Sequence, residues 1–126
     1  MIWKRRQFIF AVCNGSRNFD GNMKTVAFKM TLKPGTLAEY KKRHDEIWPE
    51  LSAAIRTAGI SDYSIFLDES TLTLFAVQKQ TENNTAAELP NHPIVKKWWA
   101  CMAPLMEVNP DNSPMCGELK EVFHLD

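Results

Sequence analysis

The chain has 126 residues, 44% of them hydrophobic and 24% charged, with 15 Lys plus Arg set against 15 Asp plus Glu. That suits one globular domain, small enough to gain from burial against a partner, and its net charge of zero offers no field for a phosphate backbone or an anionic membrane. Nucleic acid and membrane are not expected partners, and the three widely spaced cysteines, Cys13, Cys101 and Cys116, make neither a disulfide framework nor a zinc pattern, which fits a reducing cytoplasm.

The first 22 residues differ from the rest: a basic cluster, Lys4 to Arg6, precedes a short apolar run, Phe8 to Cys13. A secretory signal would carry about 7–15 apolar residues and a small-x-small cleavage site, whereas this run leads into Asn14, Gly15 and Ser16. We therefore expect residues 1–22 to be an extension and residues 23–126 to form the domain.

Val26, Phe28, Met30 and Leu32 alternate with Ala27, Lys29 and Thr31, the pattern of a half-buried strand. Lys33-Pro34-Gly35 breaks it, and Thr36-Leu37-Ala38-Glu39 has the Ser/Thr-x-x-Glu form of a capping box, so a helix is expected to start there. Apolar and ring-bearing residues then recur at steps of three and four from Leu37 through Tyr40, His44, Ile47 and Leu51 to Ala58, and Gly59 closes the run. Pro49 lies inside it, which predicts either a kink or two helices meeting near Ile47.

Tyr63, Ile65 and Leu67 form a second alternating strand, Asp68-Glu69-Ser70 a turn, and Leu72, Leu74 and Ala76 a third strand completing an antiparallel hairpin. The polar, Asn-rich stretch from Gln78 to Glu88 reads as a connection. Asn91, His92 and Pro93 introduce a second helix carrying Val95, Trp98, Met102 and Leu105, bounded by Pro104 and Pro110. Asn109 to Pro114 is a loop by composition, and Leu119 to Leu125 is expected to be the last strand. The order β-α-β-β-α-β is the ferredoxin-like split βαββαβ signature of an α+β domain, with both helices on one face of a four-stranded antiparallel sheet. Its other face either meets water, lines a cavity or meets a second copy.

Tyr40 and His44, four residues apart, share the apolar face of the first helix. Both can be core rings with satisfied polar tips. Beside a cavity, they would instead supply a proton-exchanging imidazole and a phenol able to hydrogen-bond a hydroxylated substrate. Trp98 and Trp99 offer flat faces suited to a sugar ring or to a core, but adjacent helical positions diverge by about 100°, so one is expected inside and the other at a rim unless the helix end brings both to a pocket. His92 and His124 read as turn and surface residues. No metal-ligand spacing, phosphate loop or nucleophile elbow is present.

Four blocks in order, Glu39-Tyr40-x-x-Arg43-His44-x-x-Ile47-Trp48-Pro49-Glu50-Leu51, Tyr63-x-Ile65-x-Leu67-Asp68, Lys97-Trp98-Trp99-x-x-Met102, and Asn109 to Pro114 followed by Glu121-Val122-Phe123, resemble the L-rhamnose mutarotases from Met23 to Asp126. The resemblance implies a dimeric α+β barrel that interconverts the α and β anomers of L-rhamnose without metal or organic cofactor. It places the family's proton donor at His44, its substrate contacts at Tyr40, Tyr63, Trp98 and Trp99, and its start at Met23. Where the family has a tyrosine in the last strand, this chain has His124, to which no role is assigned. The reaction protonates the ring oxygen and deprotonates the anomeric hydroxyl, opening the ring to an aldehyde that recloses on its other face. His44 would be the acid; Asp111, Asp45 or a water would be the base. Two other readings share the fold: a cofactor-independent monooxygenase or haem-degrading protein, and a sugar-binding module without catalysis.

Overall fold

The computed structural model describes residues 18–19 and 23–126; the rest of the expected extension lies outside the described residues. The elements are β1 (Asn18–Phe19), β2 (Met23–Thr31), α1 (Leu37–Asp45), α2 (Pro49–Thr57), β3 (Ile60–Asp68), β4 (Thr73–Thr81), α3 (Pro93–Met102) and β5 (Gly117–Leu119), with 3-10 turns at Ala86–Asn91 and Ala103–Leu105. The sheet runs β5–β2–β4–β3, all neighbours antiparallel, and β1 joins the same edge of β2 as β5. This is the expected split βαββαβ arrangement.

Alternation along β2 buries Val26, Phe28 and Met30, with Leu32 just beyond, and β4 adds Leu74 and Ala76. Tyr40 of α1, Leu51 of α2, and Val95, Trp99 and Met102 of α3 complete the core. Across the sheet, Phe66 pairs with Phe75 and Ala27 with Val77, and Phe66 is 62% exposed. That second face is mixed: Phe66, Phe75, Ala27 and Val77 share it with Lys29, Ser64 and Lys79.

Pro49 divides the first helical run into two helices, because a residue before proline is driven to extended backbone: Trp48 sits at φ −64°, ψ 131°, and Pro49 opens α2. The capping box does not form. The Thr36 hydroxyl donates toward the carbonyls of Lys33 and Leu105, 2.8 Å from each, and Glu39 instead takes the Arg43 guanidinium. Thr36 thus ties the start of α1 to the turn after α3.

Strand β4 runs on to Thr81, through the stretch expected to be a connection. Its inward alternation continues with Gln78 and Gln80, both fully buried, and Gln80 Nε2 donates to Gln78 Oε1 at 2.7 Å. Polar composition concealed a strand whose inward amides bond to each other.

The last strand is not where it was expected: β5 covers Gly117–Leu119 and ends at the residue where the expected strand begins, while Val122, Phe123 and Leu125 are 77–89% exposed. Leu119 lies opposite Ala27, so the same register would carry Val122 to Lys24 and Phe123 to Met23. Those two positions already face Asn18 and Phe19 of β1. An edge offers one row of donors and acceptors, and β1 occupies the part the tail would need.

In β3, Ser61 pairs with Lys79 and Ser64 with Val77, so Asp62 and Tyr63 share a bulge, with Asp62 in the left-handed region at φ 50°. The extra residue reverses the alternation. Ile60, Tyr63, Ile65 and Leu67 therefore all pack on the helix side. Without the bulge, Tyr63 would face away from the core.

Candidate functional site

A cavity of about 660 Å³ opens between the sheet and the helices, within the size range of small-molecule sites. Tyr40, His44, Tyr63, Trp98 and Trp99 all line it. Helical spacing stacks Tyr40 and His44 on α1 with ring centroids 4.3 Å apart. The Trp98 indole meets His44 edge-on at 5.3 Å, and Trp48 meets Trp98 edge-on at 5.1 Å. Tyr63 enters from the sheet through the β3 bulge. Of the tryptophan pair, Trp99 is buried and Trp98 half-buried, yet both reach the cavity.

The imidazole is oriented by its own helix: His44 Nδ1 lies 3.0 Å from the Tyr40 carbonyl. A carbonyl only accepts, so Nδ1 carries the hydrogen and Nε2 is left to exchange protons. Burial pushes the His44 pKa below its ordinary value of 6.5, against smaller upward effects of the Tyr40 carbonyl bond and of Asp45. At neutral pH the ring is uncharged. Burial raises both phenols, Tyr40 and Tyr63, with Tyr40 and Cys116 adding to the rise at Tyr63. They stay protonated and can donate hydrogen bonds throughout the physiological range.

Two carboxylates entered as candidate bases, and the fold separates them. Asp111 is bound up in its loop, accepting from the Ser113 amide at 3.1 Å and the Ser113 hydroxyl at 2.6 Å, and it does not line the cavity. Asp45 does line it, but at an exposed place where Lys41 holds it at 2.9 Å. The Asp111 loop has another use. Buried Asn109 donates to the Ser113 hydroxyl at 3.0 Å, and the resulting turn brings Asn112, at φ 72°, and Pro114 to the cavity wall.

Asn112, on the cavity wall, and Trp48, which packs against Trp98 without lining the cavity, are among the residues that sequence reasoning left out. Asn112 had a signal, an asparagine inside an Asn-Pro-Asp-Asn loop where left-handed backbone is common; Trp48 was legible only as part of the helix stripe. His92 caps α3, accepting from the Ile94 amide at 3.2 Å, and His124 lies 2.8 Å from Asp126, so neither enters the site. Among the described residues no three His, Cys, Asp or Glu side chains converge as metal ligands, and no helix is long and apolar enough to cross a membrane.

The family model described as L-rhamnose mutarotase matches residues 25–125. An L-rhamnose mutarotase of Sinorhizobium fredii is 56% identical over 103 residues, covering 82% of this chain and 99% of the relative. That of Flavobacterium johnsoniae is 56% identical over 100 residues, covering 79% and 94%. Among solved structures, the L-rhamnose mutarotase of Formosa agariphila superposes with a TM-score of 0.76 at 51% identity, covering 81% of this chain and 98% of its own. With the family model spanning most of its length and relatives this similar, the chain belongs to the L-rhamnose mutarotase family.

Proposed function

We propose that this protein interconverts the α and β anomers of L-rhamnose by opening and reclosing the sugar ring. The observation that carries this is the convergence of an uncharged, backbone-oriented imidazole, two protonated phenols and two indoles on one cavity of suitable size. Indole faces suit the C–H faces of a pyranose, and phenols suit its hydroxyls. The long apolar wall, including Met30, Leu67, Leu74 and Met102, suits the methyl group of a 6-deoxy sugar.

His44 is the proton-exchanging group. Uncharged at rest, its Nε2 takes the anomeric proton as the ring opens, and the imidazolium so formed returns a proton to the aldehyde oxygen as the ring closes; it is thus the donor of the closing half. The ring oxygen needs a donor during opening, and the protonated phenols and water are the groups fitted to it. Rotation about the C1–C2 bond exposes the other carbonyl face before closure. The monooxygenase and haem-degrading reading gains nothing from a histidine buried on a carbonyl of its own helix.

The test is saturation transfer between the α and β anomeric protons of L-rhamnose in NMR, with and without protein. Exchange faster than the uncatalysed rate is expected. Binding without faster exchange would make this a sugar-binding module; acceleration confined to another 6-deoxyhexose would move the substrate and keep the mechanism.

We also propose that residues 23–126 are the working unit, that it acts in the cytoplasm, and that it is a homodimer joined through the uncovered sheet face. The family match and the relatives' lengths support the first, and the cysteine usage supports the second. Phe66 and Phe75 on that face, in a domain of this size, support the third. Sedimentation at micromolar concentration is expected to give a dimer that Phe66→Asp weakens. A wild-type monomer would contradict it.

A further inference from the structure

Arg43 sits beside His44 on α1 but does not line the cavity, so it is placed to act on the site without touching the sugar. Its guanidinium is engaged on two sides. Nε donates to Glu39 Oε2 at 2.7 Å, one turn back on the same helix, and Nη1 donates to the Cys101 carbonyl on α3. Cys101 lies in the last turn of α3, where carbonyls carry the negative end of the helix dipole and a cation is favoured. It also lies three residues, nearly one turn, after Trp98.

The two helices that carry His44 and the tryptophan pair are therefore fastened beside those rings. On α1 the clamp is adjacent to His44; on α3 it is one turn from the indole that meets His44 edge-on at 5.3 Å. We propose that Arg43 is a positioning residue that fixes the His44 imidazole relative to the Trp98-Trp99 wall. Glu39 is its lever: it restricts the guanidinium to the orientation that reaches α3.

This rests on the anomerase reading for its kinetic arm, and its spectroscopic arm stands apart from that reading. A sugar resting on indole faces tolerates a small helix shift in binding, whereas proton transfer loses about two orders of magnitude for a misplacement near 1 Å. Arg43→Met keeps the aliphatic stem and removes the guanidinium's hydrogen bonds to Glu39 and Cys101. It is expected to lower kcat about tenfold with KM changed less than about twofold. Arg43→Lys keeps the charge but cannot span Glu39 and Cys101 with a planar fork, so it is expected to fall between Met and wild type.

The independent readout is the NMR shift of the His44 ring protons, which sense the Trp98 ring current. Both variants are expected to move these signals while amide signals of β2 and β4 stay in place. Should Arg43→Met fail to fold, Arg43→Lys carries both arms. Unchanged His44 shifts in a folded variant overturn the proposal whether or not rhamnose is the substrate. Unchanged kcat per folded molecule in a protein that does catalyse rhamnose exchange also overturns it, as does a rise in KM alone.

Discussion

His44→Ala is expected to slow α/β exchange of L-rhamnose by about 10²–10⁴-fold, the usual worth of a positioned general acid or base. The fold should survive, because the ring lines a cavity and its one hydrogen bond is to a carbonyl of its own helix, already in contact with the α1 backbone. The wild-type pH profile adds a sign. Burial holds the folded pKa below 6.5, and the uncharged imidazole is the form that takes the anomeric proton. Exchange above the uncatalysed rate should therefore be flat above neutrality and fall as pH drops through that lowered value. A rate that instead rises on acidification would make His44 an imidazolium acid during ring opening. If His44→Ala lowers the melting temperature and leaves exchange per folded molecule unchanged, His44 is only a core residue.

The largest effect on stability is expected at Gly59, between α2 and β3. Its φ is +94°, a conformation L side chains rarely adopt, and a Cβ there would collide with Thr81 Oγ1 and press on Asn84. The approach is fixed by backbone bonds on both sides: the Thr81 amide donates to the Gly59 carbonyl at 2.9 Å and the Thr85 amide to the Ala58 carbonyl at 2.8 Å. Gly59→Ala combines backbone strain with overpacking and should cost about 2–4 kcal/mol. In a domain of this size that lowers the melting temperature by roughly 10 °C or more, measurable by circular dichroism. Asn tolerates positive φ but also carries a Cβ, so Gly59→Asn should be nearly as damaging, whereas adding Thr81→Ala to Gly59→Ala should recover part of the loss. Full tolerance of Ala would show that the turn relaxes.

Periodicity was legible wherever burial followed the side-chain type. The β2 alternation, the α1 stripe and the hairpin turn at Asp68-Glu69-Ser70, where the Ser70 amide donates to Asp68 Oδ1 at 3.0 Å, follow from local rules. The exceptions lie where side-chain type and local capping rules do not decide the outcome. Gln78 and Gln80 are buried side by side and share one amide–amide bond, which hydropathy cannot express. Thr36 abandons its cap for a carbonyl 69 residues away. The bulge that turns Tyr63 inward depends on a left-handed Asp62, a state that Asp tolerates but does not announce. At the site, the spacing of Tyr40 and His44 was visible in the chain, but their union with Tyr63 and the two tryptophans needs three elements brought together by the sheet. Residue similarity to a family supplied that union before geometry did.

The shared edge of β2 makes the two ends of the chain rivals for one set of backbone partners. A polypeptide begun at Met23 lacks Asn18 and Phe19, and the positions they hold are those the tail reaches by continuing its own register. A chain begun at Met23 would leave those positions open, and its Val122 and Phe123, exposed here, are expected to gain protection from hydrogen exchange by pairing with Lys24 and Met23.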